Sequence, residues 1–161
     1  MSDLRVGIGV DAHALADDVP LVLGGVEFPG ERGLVGHSDG DVLAHALIDA
    51  VLGAAGLGDI GSLFPSGDAR WEGASSLDLL ARAAADVGEA GWEVVNADCV
   101  LVGEEPRIAP LRERMRSRLA EALGVEAERV NVRATTTDKL GFAGRGEGLA
   151  AQAVALLRRR E

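Results

Sequence analysis

The sequence predicts an α+β fold with α/β-type layers: one mixed sheet of about four main strands plus a small hairpin, with three helices on one face. Three observations predict it. Strand-like stretches occupy residues 4–14, 92–102 and 129–135. Capped, helix-like stretches occupy 41–55, 75–90 and a segment that starts between Pro106 and Pro110 and ends at Leu123-Gly124. The two kinds follow one another with no internal repeat and no linker, so residues 1–161 are expected to form a single domain.

Residues 4–14 alternate small and β-branched side chains, with Val6, Ile8 and Val10 on one face of a strand that ends at Asp11 and His13. Residues 21–28 read as a hairpin closed at Gly24-Gly25, and 29–38 as a loop. Ser38 or Asp39 caps the first helix, whose buried face carries Leu43, Leu47, Val51 and Ala54. Residues 56–73 have no apolar period, and a connection that long is often a lid or disordered. Ser75 or Ser76 caps the second helix, which Gly91 ends. Residues 136–148 form a Gly-rich loop. Residues 149–157 suit a buried strand or a short helix equally.

Composition narrows the function classes. Hydrophobic residues make up 47% and aromatics 3%, so the core is one of Leu, Val, Ile and Ala. The net charge of −10 argues against nucleic acid and against an anionic membrane surface, though local groups can still hold a phosphate. A lone cysteine, Cys99, allows no internal disulfide and fits a reducing compartment. The N-terminus shows no charged leader followed by an apolar run. No apolar stretch reaches the roughly 18 residues of a membrane span, so a cytoplasmic protein is expected.

All three histidines fall between residues 13 and 45. Asp11-Ala-His13 puts two ligand-type side chains on one strand face, about 7 Å apart along it, close enough to converge on one ion. His45, on the following helix, can complete a trio with an open fourth position. Each residue alone also has an ordinary reading, as turn carboxylate or packed imidazole. Asp41 and Asp49 lie one turn either side of His45, and either can orient the imidazole; Asp41, in the first turn, suits the helix dipole better. His37 and Ser38 precede the helix start, where backbone N–H groups favour anions, although a plain N-cap explains them as well.

A second dense segment runs from Thr135 to Gly148. Thr135, Thr136 and Thr137 supply hydroxyls, Asp138 a carboxylate suited to a hard cation, and Lys139 and Arg145 positive charge. Lys139 is the only lysine in the chain. The G-x-x-x-x-G-K-[ST] spacing of a P-loop is absent. Gly103-Glu104-Glu105-Pro106-Arg107 joins a strand to a helix start, a further anion or base pocket or an ordinary turn.

Four motifs in this order resemble those of the 2-C-methyl-D-erythritol 2,4-cyclodiphosphate synthases. They are Gly9-Val-Asp11-Ala-His13, His37-Ser-Asp-Gly-Asp-Val-Leu-Ala-His45, residues 52–65 around Asp59-Ile60-Gly61, and residues 134–148. The resemblance implies a homotrimer with active sites between subunits, and release of CMP as 4-diphosphocytidyl-2-C-methyl-D-erythritol 2-phosphate cyclises, a phosphorus-oxygen lyase reaction. It implies Zn2+ on Asp11, His13 and His45, and Mg2+ or Mn2+ on the diphosphate at Asp138. From its helix spacing, Asp49 is expected behind His45; the resemblance gives His37 and Thr136 the role of stabilising the transition state. It implies a methylerythritol phosphate site at Ser38, Asp59, Ile60, Gly61, Phe64, Pro65, Ser66, Gly67 and Asp68. It implies a cytidine site at Gly103, Glu104, Glu105, Pro106, Arg107, Ile108 and Ala109, with Thr135, Thr137, Phe142 and Arg145 nearby. It also makes residues 149–157 a strand. The chain departs from the family pattern at Asp138, where Glu is common, and at Arg107, where Lys occurs. The rival readings are a zinc-dependent phosphohydrolase, a structural zinc module and a trimeric interaction protein.

Overall fold

The structure, a computed structural model, describes residues 3–161. In chain order the elements are β1 (Leu4–Ala16), β2 (Val22–Leu23), β3 (Val26–Glu27), β4 (Gly33–Leu34), α1 (Val42–Ala55), α2 (Ile60–Leu63), α3 (Ser76–Glu89), β5 (Trp92–Val102), α4 (Arg112–Leu123), β6 (Val130–Thr135), α5 (Gly141–Gly144) and β7 (Gly148–Arg159). No helix among the described residues is long and apolar enough to cross a membrane.

One sheet has the order β4-β1-β7-β5-β6, and β2-β3 form a separate pair. β7 runs antiparallel to both β1 and β5, while β5 and β6 are parallel, so the sheet is mixed. The expected four main strands become five, because β4 pairs with the end of β1 at Leu15 and Ala16 inside the stretch expected to be loop. Residues 149–157 are strand, at the centre of the sheet. Their small residues Ala151, Ala153 and Ala155 are fully covered by the helix layer, which is why an apolar period alone left helix and strand open. The loop at 56–73 contains α2 and a further 3-10 turn at Ala69–Trp71, and the loop at 136–148 contains α5.

α1, α3 and α4 pack on one face, and α1 crosses β1, β7 and β5. The face of β1 that meets α1 is the glycine face. A Cβ on Gly9 would stand 1.8 Å from the Ala46 carbonyl oxygen, and one on Gly7 would stand 2.0 Å from that of Ala50. Only glycine lets the helix lie this close to the strand. Val6 and Ile8 therefore point away from the helices and remain 69% and 65% exposed, beside Leu4, Val10 and Val154. Alternation identified the strand but could not say which face is inward.

α1 begins at Val42 with Asp41 as its N-cap, two or three residues later than the expected caps Asp39 and Ser38. Asp41 is fully buried. Its carboxylate accepts from the Ala44 N–H at 3.1 Å, and from the N–H groups of Gly24 and Gly25 at 2.9 and 2.7 Å. The turn of the β2-β3 hairpin is thereby fastened to the start of α1. Burial pushes the Asp41 carboxyl up to about 6, against the pull of these donors.

Asp41→Ala should lower unfolding stability by about 2–4 kcal/mol, the sum of a lost cap and two stranded buried donors. Urea denaturation measures it; a loss below about 0.5 kcal/mol, as at an ordinary surface site, would refute this role. Gly9→Ala should cost about 1–3 kcal/mol by overpacking and should also weaken divalent-metal binding, because it displaces the turn that carries His45; calorimetric titration of the folded variant checks the second effect.

Candidate metal centre

The metal-type trio is assembled by the same strand-helix contact. Asp11 and His13 continue the inward face of Gly7 and Gly9, and His45 follows Ala44 on the α1 turn that lies over Gly9. Asp11 Oδ2 lies 2.8 Å from His13 Nε2 and 3.1 Å from His45 Nδ1, and the two imidazole nitrogens are 3.1 Å apart. These three side chains are the described residues that form a metal-type cluster. Ligand atoms about 2.1 Å from a tetrahedral ion stand roughly 3.4 Å from one another, so the trio fits a small divalent ion with little adjustment.

The outer nitrogens support the same arrangement. His13 Nδ1 is 2.7 Å from the Val35 carbonyl, which can only accept, so Nδ1 carries the proton and Nε2 presents a lone pair. His45 Nε2 is 2.9 Å from Ser38 Oγ and 2.8 Å from Ser76 Oγ. Burial acts to raise the Asp11 carboxyl, but hydrogen bonds and charge from His13 and His45 outweigh it and bring it down to about 2. The Asp11 carboxylate, as acceptor for a protonated His13, raises His13 above its ordinary value, against the opposite pull of burial. Two nitrogen lone pairs and a carboxylate oxygen in so small a space require a proton or a cation among them.

A cavity of about 400 Å³ opens at the trio. Of the residues expected there, Asp11, His13, His37, Ser38, His45, Ile60, Gly61, Phe64, Pro65, Ser66 and Gly67 line it. Asp59 and Asp68 do not; each caps a short turn. Asp59 accepts from Ser62 N and Oγ, both at 2.8 Å, and Asp68 accepts from Arg70 N at 3.0 Å and pairs with its guanidinium. Asp49, expected behind His45, instead accepts from the Ile60 N–H at 2.7 Å and so ties α1 to α2. The partners of His45 include Ser76, which its place at the start of α3 had marked only as a possible cap. Trp71 also lines the cavity, packed edge-on against Phe64 at 5.0 Å between ring centres. Neither was legible, because nothing within its own stretch of sequence points toward residue 45.

A second cavity, about 690 Å³, lies between the ends of β5 and β6 and is lined by Gly103, Glu104, Glu105, Pro106, Arg107, Ile108 and Ala109, together with Thr135, Thr136 and Arg145. Lys139 joins them, while Thr137, Asp138 and Phe142 do not. The two cavities of one chain share no lining residue. Asp138 and Lys139 both adopt positive φ, 53° and 64°, a conformation that costs side-chain-bearing residues about 1–3 kcal/mol each. Glu104 supports this turn by accepting from Thr137 N at 3.3 Å and Lys139 N at 3.1 Å. Its carboxylate thus serves the protein backbone as well as facing the cavity.

The chain is 62% identical over 162 residues to the 2-C-methyl-D-erythritol 2,4-cyclodiphosphate synthase of Rubrobacter xylanophilus, over 99% of this chain and 98% of that one. Its structure is similar to that of the bifunctional IspDF of Campylobacter jejuni, with a TM-score of 0.96 and 43% identity. That likeness covers 100% of this chain, which corresponds to 44% of the longer bifunctional one. It is also similar to a CDP complex of IspF from Plasmodium falciparum, with a TM-score of 0.86 and 28% identity over 98% and 97% of the two chains. A profile of the YgbB family matches residues 4–158, and the chain belongs to that family.

Proposed function

We propose that the chain converts 4-diphosphocytidyl-2-C-methyl-D-erythritol 2-phosphate to 2-C-methyl-D-erythritol 2,4-cyclodiphosphate and CMP, as a phosphorus-oxygen lyase of the non-mevalonate isoprenoid route. The observation that carries this reading is the convergence of Asp11, His13 and His45 on one cavity wall in a member of this family. An oxygen of the substrate's 2-phosphate attacks its β-phosphorus. The bond from that phosphorus to the bridging oxygen breaks, and CMP departs with the electron pair. Both reacting groups belong to one molecule, so orientation is the main task, worth up to about 7–11 kcal/mol in favourable cases.

Asp11, His13 and His45 would hold a divalent ion, which we assign as Zn2+, and Asp138, which lines neither cavity, would offer one carboxylate to a Mg2+ or Mn2+ ion. When bound, these ions supply charge neutralisation and Lewis acidity at phosphate oxygens. His37 donates to a phosphate oxygen from the wall of the first cavity, and Thr136 donates from the second. Residues 60–67 shield the reacting groups from water, so that the ring forms in place of a hydrolysed product.

The cytidine end occupies the second cavity, where Arg107, Lys139 and Arg145 offset the acidic character of the chain. Two cavities without a shared residue favour a substrate that lies across a subunit boundary. The exposed strip of Leu4, Val6, Ile8 and Val10 is an apolar sheet face suited to cover by further copies of the chain. The family resemblance implies a homotrimer with intersubunit sites, and the exposed strip and the separate cavities support that assignment.

Incubation of the metal-loaded enzyme with the cytidyl substrate should yield CMP and a cyclic diphosphate in equal amounts by phosphorus NMR. Inorganic phosphate or a linear product would instead select a zinc-dependent phosphohydrolase. His45→Ala should lose both metal and turnover while circular dichroism stays native, and Asp138→Ala should slow turnover with Zn2+ content unchanged.

Metal binding requires neutral His13, and the pKa of that group is raised above the ordinary 6.5. Protons therefore compete for the site already above that pH. Zn2+ affinity should be constant at alkaline pH, fall as pH drops through the raised value, and be accompanied by proton release. Affinity that holds level to below 6.5 would contradict this.

A further inference from the structure

We propose that Asp39 and Ser76 act together as a positioning relay that fixes His45 with Nδ1 as its metal-binding nitrogen. The inference rests on the reading of Asp11, His13 and His45 as a metal centre. Ser76 is completely buried at the first position of α3, yet its hydroxyl does not cap its own helix. Ser76 Oγ donates to Asp39 Oδ1 and lies 2.8 Å from His45 Nε2.

The direction of each bond is forced. A carboxylate only accepts, so the single proton of the Ser76 hydroxyl goes to Asp39. The oxygen of Ser76 is then an acceptor toward His45, and Nε2 must be the protonated nitrogen. Nδ1 is left as a lone pair, 3.1 Å from Asp11 Oδ2 and 3.1 Å from His13 Nε2.

Asp39 is held for this purpose by further donors. Its oxygens accept from Ser76 N at 3.0 Å and from Asp41 N at 3.1 Å. A carboxylate-histidine pair commonly supports a metal ligand directly; here a serine stands between them and passes on the polarisation. Ser38 Oγ also lies near His45 Nε2, at 2.9 Å, and 3.3 Å from Ser76 Oγ. Because the Ser76 proton is committed to Asp39, Ser38 is the donor in any hydrogen bond between the two hydroxyls.

The test measures Zn2+ affinity of the folded apo-protein by chelator competition, together with the visible absorption of the Co2+-substituted form and the melting temperature of the apo form. Ser76→Ala should weaken Zn2+ binding about 10–100-fold and alter the Co2+ ligand-field bands, with apo melting changed little. Asp39→Asn keeps an acceptor for the serine but removes its charge, and should fall between Ser76→Ala and the parent; it also carries the test should Ser76→Ala fold poorly. Ser75→Ala, at the neighbouring exposed cap position, should leave the Zn2+ affinity and the Co2+ spectrum unchanged. If the parent binds Zn2+ and Ser76→Ala binds it equally well with an unaltered Co2+ spectrum, the relay is wrong while the metal centre stands. If the parent itself does not bind Zn2+, the metal centre falls and the relay falls with it.

Discussion

The close seating of α1 on β1 is the contact on which the rest of the molecule depends. Gly7 and Gly9 remove the side chains that would otherwise hold the helix away, and the carbonyls of Ala46 and Ala50 occupy that space. The helix turn above Gly9 carries His45, and the next two inward positions of the strand carry Asp11 and His13. One backbone approach therefore sets both the packing of the helix layer and the convergence of three donors from two elements. At the other end of the trio, Asp41 fixes where the helix starts, since its carboxylate holds the hairpin turn and the first helical turn together.

Around that contact the acidic residues divide their work. The chain carries a net charge of −10, yet the reading requires it to hold a polyphosphate. Several carboxylates near the cavities are already engaged by protein donors: Asp39 and Asp41 by backbone N–H groups, Asp49 by Ile60, Asp59 by Ser62, Asp68 by Arg70, and Glu104 by the Thr137–Lys139 turn. Each of them fixes a backbone segment from which a cavity wall is built. An anion entering the first cavity thus meets His37, Ser38 and the convergent trio, with these carboxylates turned to other tasks.

Much of the fold and of the centre was legible in the sequence, and the exceptions share a physical origin. Period-two spacing placed Asp11 and His13 on one strand face, and capped apolar stretches located α1, α3 and α4, because those signals are local. The inward face of β1 was not legible, since glycine and valine alternate equally well whichever side is covered. Ser38 and Asp39 were the expected caps of α1, and the true cap, Asp41, becomes evident only when Gly24 and Gly25 are seen to bring their N–H groups to its carboxylate. β4 is a pair of residues that becomes a strand only because the end of β1 lies beside it. Ser76 and Glu104 each act on a residue more than thirty positions away, a distance across which sequence patterns carry no register. The family resemblance resolved residues 149–157, where composition alone was neutral.

The two tryptophans occupy unlike surroundings. Trp92 is clamped at the far end of the sheet, with the Arg5 guanidinium 4.4 Å and that of Arg159 5.1 Å from its ring. Trp71 forms part of the cavity wall against Phe64, and its indole nitrogen is buried without a hydrogen-bond partner in the protein. The molecule thus carries a built-in pair of fluorophores, one a steady internal reference and the other set where occupancy would change its emission.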